Sequence, residues 1–171
     1  MDSVFRTPNV NFVKNLLLAA TLILFSACHL IGKGKNDIPP VDILLEDSTT
    51  HFNIANAPEG RPIILLYFSP DCEHCQKEIH GLLHHMDSLK KVQFYYITSD
   101  DFDEMKLFGQ YYHLGKYRNI TMGRDITYSF PGHFKAVAPP YLVVYDQNKR
   151  FRAALSGEVT ASRVIGIVND L

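Results

Sequence analysis

Hydrophobic positions form two kinds of pattern along most of this chain. An uninterrupted apolar run at residues 63–68, and a run at residues 92–97 that is apolar except for Gln93, predict strands that are buried on both faces of a sheet. Apolar residues recur at helical spacing over residues 73–89, and an acidic first turn opens the segment 101–113. Both segments are therefore predicted to be helices that follow those strands.

Shorter patterned segments complete the predicted architecture. They are strands at 42–45, 51–54 and 119–122, a hairpin of strands at 141–145 and 150–155, and a helix at 159–171. Residues 128–134 are predicted to be irregular. The element order predicts an α/β domain with a mixed central sheet, helices on both of its faces and a short N-terminal strand extension.

The N-terminus has the composition of an export signal. Arg6 and Lys14 precede an apolar run at residues 16–25, which is shorter than the roughly 20 residues that span a bilayer as a helix. We therefore predict that residues 1–27 are a cleaved leader. An uncleaved anchor is the alternative.

The leader ends in FSAC (residues 25–28), which resembles the bacterial lipobox, with Phe25 where the lipobox favours Leu. The resemblance implies that Cys28 becomes the lipidated first residue of the mature chain, anchored to a membrane of the cell envelope and facing the periplasm. A plain signal peptide is the alternative. Residues 28–40 are polar and contain glycine, lysine and proline, so they predict a flexible tether. One domain at residues 41–171 remains.

Charge and composition exclude several classes of function. The formal net charge is −1, and the sequence has neither a basic stripe nor an acidic run, so nucleic acid is not an expected partner. The sequence has no glycine-rich phosphate loop, so no bound cofactor is expected. Of the three cysteines, Cys28 is assigned to the lipid anchor. Cys72 and Cys75 can therefore form a disulfide within the chain only with each other.

Cys72 and Cys75 form the most informative motif. The segment SPDCEHCQKE (residues 69–78) places them one helical turn apart, directly after the predicted strand at 63–68. At the first turn of a helix, exposed N–H groups and the helix dipole stabilise a thiolate, and this spacing lets two sulfurs close a small disulfide. The motif predicts dithiol–disulfide exchange, with Cys72 attacking and Cys75 resolving. A structural disulfide or half of a zinc site is the alternative.

The motif, the element order and the segment APPYLVVYD (residues 138–146) together resemble the thioredoxin fold over residues 41–171. Within that fold, the chain is most similar to membrane-tethered thiol–disulfide oxidoreductases of the TlpA/ResA type from the bacterial envelope. The resemblance implies a cis proline beside the dithiol, which we assign to Pro140, with Pro139 as the alternative. It also implies disulfide-containing envelope proteins and a membrane electron donor as partners. We expect a monomer that acts as a reductase.

The resemblance also implies roles for residues around the dithiol. Glu78, three residues after the resolving thiol, relays a proton to or from it, and Pro140 exposes neighbouring backbone groups to an extended substrate. Charge gives two further residues a redox-tuning role. His74 as a cation favours the thiolate, whereas Glu73 disfavours it. Because the two effects oppose each other, the sequence does not predict the reduction potential.

Two other functions are compatible with the sequence. The chain also departs from the family at four positions. Pro70 stands where the family often has Trp, and His74 and His80 stand where it has Pro. Leu66 stands where thioredoxins themselves have a buried Asp. Residues 69–72 also match the S-x-x-C of peroxiredoxins, so a peroxidase is one alternative. His80 and His84, four residues apart on a predicted helix, can chelate a metal, so a non-catalytic metal-carrying lipoprotein is the other. We favour a solvated helix face for them and expect no metal.

Overall fold

The computed structural model of the chain describes residues 37–171. The predicted leader at residues 1–27, the lipidation site Cys28 and most of the tether lie outside the described residues. Ile38, near the end of the predicted tether, is buried in the core of the domain. The packed part of the chain therefore begins a few residues before position 41.

Seven strands form one mixed sheet in the described part of the chain. They are β1 (Asp42–Leu45), β2 (His51–Asn53), β3 (Ile63–Tyr67), β4 (Gln93–Thr98), β5 (Ile120–Arg124), β6 (Tyr141–Tyr145) and β7 (Phe151–Ser156). Their order across the sheet is β2-β1-β5-β4-β3-β6-β7. Strands β3, β4 and β5 run parallel, and the other neighbouring pairs are antiparallel. The predicted N-terminal extension and the final hairpin form the two edges of this sheet.

Helices connect these strands. The α-helices of residues 37–171 are α1 (Glu73–His84), α2 (Met86–Leu89), α3 (Phe102–Tyr111), α4 (Ser129–Phe134) and α5 (Ala161–Asn169), with 3-10 helices at Ile54–Asn56 and Leu114–Lys116. Over this part of the chain, no helix combines the length and the apolar character needed to cross a membrane.

Alternate residues of the central strands face two different core layers. Ile64 and Leu66 of β3 pack in one layer with residues of α1, α3 and α5, whereas Ile63 and Leu65 pack in the other with residues of α4 and β1. All four side chains are fully buried, as an uninterrupted apolar run predicts for a strand that is covered on both faces. The predicted fold class, a mixed sheet with helices on both faces, is confirmed.

The single helix predicted over residues 73–89 is wrong, because α1 ends before His85 and α2 follows it. The His85 N–H donates to the Leu82 carbonyl, three residues earlier, at 3.0 Å. The Gly81 carbonyl instead accepts from His85 Nδ1, also at 3.0 Å. A side chain has thus replaced the main-chain bond that would have continued the helix.

The prediction that residues 128–134 are irregular is also wrong, because they contain α4. The cause is the buried carboxylate of Asp125, which accepts from the Phe130 N–H at 2.7 Å and from the Thr127 and Ser129 hydroxyls, both at 3.1 Å. These bonds satisfy donors in the first turn of a short helix. The pattern is hard to find by sequence because Asp125 lies four residues before the helix begins.

Candidate active site

Cys72 lies where the loop after β3 passes into α1. It is the residue before the first turn of α1, and its Sγ accepts a hydrogen bond from the Cys75 N–H at 3.3 Å. The Cys72 N–H donates to the Ser69 carbonyl at 3.2 Å. On the other side of the loop, the Gln76 side-chain amide donates to the Pro70 carbonyl at 2.8 Å. The sulfur is therefore fixed where a helix N-terminus stabilises negative charge.

The two thiols have different surroundings. Both are free thiols; Cys72 is partly exposed, whereas Cys75 is completely buried. Burial raises the pKa of the Cys75 thiol far above its ordinary value, and the hydrogen bond with Cys72 and the charge of Glu78 raise it further. Cys72 is thus the accessible sulfur, and Cys75 stays protonated until a base takes its proton.

A cis peptide bond joins Pro139 to Pro140 directly before β6. The Cys72 thiol lies beside this bond, with its Sγ 3.9 Å from the Pro139 carbonyl oxygen. The Pro140 carbonyl accepts from the Gly157 N–H at 2.9 Å, which ties the segment to the end of β7. Of the two prolines considered from the sequence, Pro140 is the cis residue.

Glu78 is buried on α1, three residues after Cys75, with 2% of its surface exposed. Its Oε2 accepts from the Val159 N–H at 3.3 Å, and its Oε1 has no hydrogen-bond partner among residues 37–171. Burial raises the pKa of Glu78 to about 7; the Val159 bond opposes this, and the charge of Glu158 adds to it. A carboxyl with such a pKa exchanges its proton near neutral pH.

Tyr96 on β4 belongs to the same buried region, and we did not predict it from the sequence. Its hydroxyl has no hydrogen-bond partner within the described chain. Burial raises the pKa of Tyr96, and the charge of Glu78 raises it further, so the two groups interact. The sequence did contain a signal for this position. Tyr96 lies opposite Leu66 on the neighbouring strand, and Leu66 occupies the position of the buried Asp of thioredoxins.

The comparison with known proteins rests on solved structures, since no family model and no curated protein matches the sequence. A secreted disulfide oxidoreductase of Mycobacterium tuberculosis, homologous to E. coli DsbE, aligns with a TM-score of 0.64 at 19% identity, over 76% of this chain and 95% of that one. The exposed lipoprotein thioredoxin of Streptococcus pneumoniae aligns with a TM-score of 0.60 at 11% identity, over 78% and 100%. A reduced 2-Cys peroxiredoxin of Plasmodium vivax gives 0.60 at 16% identity, over 77% and 76%. This chain has a thioredoxin-like fold.

Four of the predicted site residues meet at one end of the thioredoxin-like sheet. Cys72 and Cys75 follow β3, and Pro140 precedes β6, the strand beside it. Glu78 lies on the buried side of α1, where its charge acts on Cys75. The fold therefore brings together an accessible thiol, a buried thiol and a carboxyl that can accept a proton.

The two charged residues between the cysteines are each paired in this thioredoxin-like site. His74 Nδ1 lies 2.8 Å from Glu158 Oε2, and Glu73 Oε1 lies 2.8 Å from Lys77 Nζ. Each of these two residues thus contacts a third residue, so neither side chain faces the dithiol without a partner. Glu158 is 84 residues from His74, so sequence spacing does not indicate this pair.

The histidines farther along α1 lie on its exposed face, as predicted. His84 Nδ1 donates to the His80 carbonyl at 2.9 Å, and the two ring centroids are 4.2 Å apart. In the part of the chain that the structure describes, no group of three or more His, Cys, Asp or Glu residues is arranged to hold a metal ion.

Proposed function

We propose that this chain is a thiol–disulfide oxidoreductase of the bacterial envelope that reduces disulfides in protein partners. The observation that carries the proposal is the asymmetry of its thiols: Cys72 is accessible at a helix N-terminus, and Cys75 is buried one turn inside it. The thioredoxin-like fold supports it, because the similar structures include a secreted disulfide oxidoreductase.

The reaction proceeds in two exchange steps. The Cys72 thiolate attacks one sulfur of the partner's disulfide, and the partner's other sulfur leaves as a thiolate and takes up a proton. Cys75 then loses its proton and attacks the Cys72 sulfur. A bond forms between Cys72 and Cys75 as the mixed disulfide breaks, and the partner leaves with two thiols. The partner has gained two electrons and two protons, which this chain has lost.

Glu78 is the base for the second step. The Cys75 thiol resists ionisation because it is buried, so its attack requires an acceptor for the proton. Glu78 has a pKa of about 7, which keeps a large share of it ionised at neutral pH. Because this pKa is close to neutral pH, the protonated carboxyl can also release the proton afterwards.

The cis-proline segment is where we expect the partner's chain to lie. The Pro139 carbonyl is close to the Cys72 sulfur, and the Pro140 carbonyl already bonds within the domain. Because Pro139 has no N–H, it can offer a substrate only an acceptor. We therefore expect a partner to donate a main-chain N–H here rather than to form a paired set of strand bonds.

The proposed location is the periplasmic side of a membrane, with a lipid on Cys28 as the anchor. The export-signal composition and the lipobox-like residues 25–28 support this location. Exported proteins are also those in which disulfides form and persist. Each turnover leaves a Cys72–Cys75 disulfide, and we propose that a dithiol donor in the membrane supplies the two electrons that reduce it again.

The decisive experiment replaces the resolving thiol. Cys75→Ser should accumulate mixed disulfides between Cys72 and envelope proteins, because the second step is blocked. The adducts should be visible on non-reducing gels and should disappear with dithiothreitol. The matched control is Cys72→Ser, which keeps one thiol but loses the attacking one and should trap no partner.

Activity assays on the wild-type protein complete the test. We expect it to reduce insulin in the presence of dithiothreitol. Absence of both insulin reduction and Cys75→Ser adducts would reject the proposal. Rapid consumption of hydrogen peroxide would favour a peroxidase, and stoichiometric metal binding without exchange would favour a metal carrier that uses His80 and His84.

A further inference from the structure

A groove between α1 and α3 opens beside the dithiol. Its volume is about 710 Å³, and Pro70 and Asp71, which directly precede Cys72, form part of its wall. A second hollow of about 450 Å³ continues it, because Tyr111 and Tyr112 line both. The two hollows thus adjoin each other and follow α1 away from Pro70 and Asp71, the two residues that precede the attacking thiol.

Helical periodicity explains how the groove forms. The lining residues of α1 are spaced i, i+4, i+7 and i+8, namely Gln76, His80, Leu83 and His84. On α3, residues at i, i+3, i+4, i+6 and i+7, counted from Glu104, line the other side. The stretch from Gln76 to His84 rises about 12 Å along the helix, a length that about four residues of an extended chain cover.

The groove has an apolar surface on a rigid support. Leu107 and Tyr111, one turn apart on α3, are 64% and 78% exposed. The Tyr111 ring packs edge-on against Tyr112 at 5.0 Å, and Tyr112 packs on Phe108 at 4.6 Å. Phe108 in turn packs on Phe68, directly after β3, at 4.8 Å. Exposed apolar side chains held this way are typical of a binding surface.

The two ends of the groove carry opposite charge. At the end next to Cys72, the charged lining residues are the acids Asp71 and Glu104, both exposed. At the far end, Lys116 lines the second hollow together with histidines of α1. Opposite charges at the two ends of one groove select both the charge and the direction of a bound segment.

We propose that this groove binds an extended segment of the protein partner next to the cysteine that Cys72 attacks. The segment carries a basic residue beside that cysteine, an aromatic or aliphatic residue over Leu107 and Tyr111, and an acidic residue about four positions away, near Lys116. This inference rests on the proposed function, because the partner's disulfide brings the segment to the groove.

Synthetic peptides can test the charge pattern. Each peptide has one cysteine in a mixed disulfide with thionitrobenzoate, whose release is followed by absorbance. One has lysine beside the cysteine, tyrosine in the middle and glutamate four positions away; the other has the charges exchanged. Each of these two sequences is made in two versions, one with the cysteine at the N-terminus and one with it at the C-terminus, so that both chain directions are tested. We expect kcat/KM, taken as the second-order rate constant for a single turnover of the reduced wild-type protein, to be about fivefold higher for the lysine-first peptide, with the difference lost at high salt.

Two variants locate the effect in the groove. Tyr111→Ala should lower kcat/KM for the lysine-first peptide about tenfold relative to that for hydroxyethyl disulfide, a small neutral substrate. Ile126→Ala, which truncates an exposed apolar residue that does not line the groove, is its control. Glu104→Lys, at an exposed position, should abolish the charge preference, whereas Glu59→Lys should leave it intact.

The outcomes separate this inference from the function on which it rests. Equal kcat/KM for the two peptides, or equal effects of Tyr111→Ala and Ile126→Ala, would overturn the groove as the binding site even if hydroxyethyl disulfide is reduced. Failure of the wild-type protein to reduce either kind of disulfide would reject the proposed function itself. Glu104→Lys gives an independent answer if Tyr111→Ala does not fold.

Discussion

Two carboxylates are almost equally buried in this domain, but they are held very differently. Glu78 is 2% exposed and Asp146, directly after β6, is 1% exposed. Asp146 accepts main-chain N–H bonds from Asn148 at 2.8 Å and Arg150 at 2.9 Å. Its other oxygen accepts from the Arg152 guanidinium at 2.6 Å. Glu78 accepts one main-chain N–H bond on a single oxygen.

The pKa values of the two groups move in opposite directions. Burial acts to raise the pKa of Asp146, but its hydrogen bonds and the Arg152 charge outweigh burial, and the pKa lies below its ordinary value. Burial dominates at Glu78 and raises its pKa to about 7. Burial alone therefore does not make a carboxyl a proton carrier; the number of donors that stabilise the charged form decides. Asp146 stays ionised and holds the hairpin turn, whereas Glu78 can change charge.

The largest effect expected from this contrast is on the rate of exchange. Glu78→Gln should slow attack by Cys75 on the mixed disulfide about a thousandfold, because an amide cannot accept the thiol proton. Rapid-quench measurement of the mixed disulfide, formed with a thionitrobenzoate peptide, gives this rate. Asp146→Asn is the matched control, since it also converts a buried carboxylate to an amide. Equal slowing by both variants would show that general damage, not proton transfer, is responsible.

The second effect is on stability, where the two variants should show opposite dependence on pH. The folded-state pKa of Glu78, about 7, lies above its ordinary value of 4.5, so this group costs stability as pH rises between those values. Glu78→Gln should therefore gain up to about 3 kcal/mol relative to wild type between pH 5 and pH 8. Urea unfolding of the reduced protein measures this difference.

Asp146→Asn provides the opposite arm of that experiment. The lowered pKa of Asp146 means that its carboxylate contributes stability above pH 3.8, which is lost as pH falls through its folded-state pKa. The variant should lose about 2 kcal/mol at neutral pH, the usual range for hydrogen bonds to a charged group, and less in acid. Parallel pH curves for the two variants would contradict the contrast between the sites.

The parts of this molecule that the sequence predicts are those with local signals. The run at residues 63–68 is apolar at every position, so its burial on both faces follows from the run itself. Cys72 and Cys75 are related by one helical turn, and Pro140 directly precedes a strand. The break at His85 was missed because it depends on a side chain that replaces a main-chain bond.

The electrostatics of the site depend on contacts that no local pattern contains. Glu78 was identified by resemblance, but its raised pKa depends on burial and on Val159 and Glu158, which lie far along the chain. The sequence predicted that His74, as a cation, favours the thiolate, but it did not indicate the contact with Glu158. Such pairs form only when the loop before α5 packs against α1. The sequence therefore predicted which groups react, but it did not predict the contacts that set their charges.

The smallest effect expected concerns Glu158. This residue contacts His74 at the solvent-exposed surface, and its charge raises the pKa of the buried Glu78. Glu158→Gln removes a charge that raises the pKa of Glu78. The rate of the resolving step rises with pH as Glu78 ionises, so the variant's curve should move to lower pH. The shift should be less than one pH unit because Glu158 is partly exposed and screened. Glu59→Gln, at an exposed turn, should leave the curve in place. An unmoved Glu158→Gln curve would mean that burial and the Val159 bond set the Glu78 pKa without a contribution from the Glu158 charge.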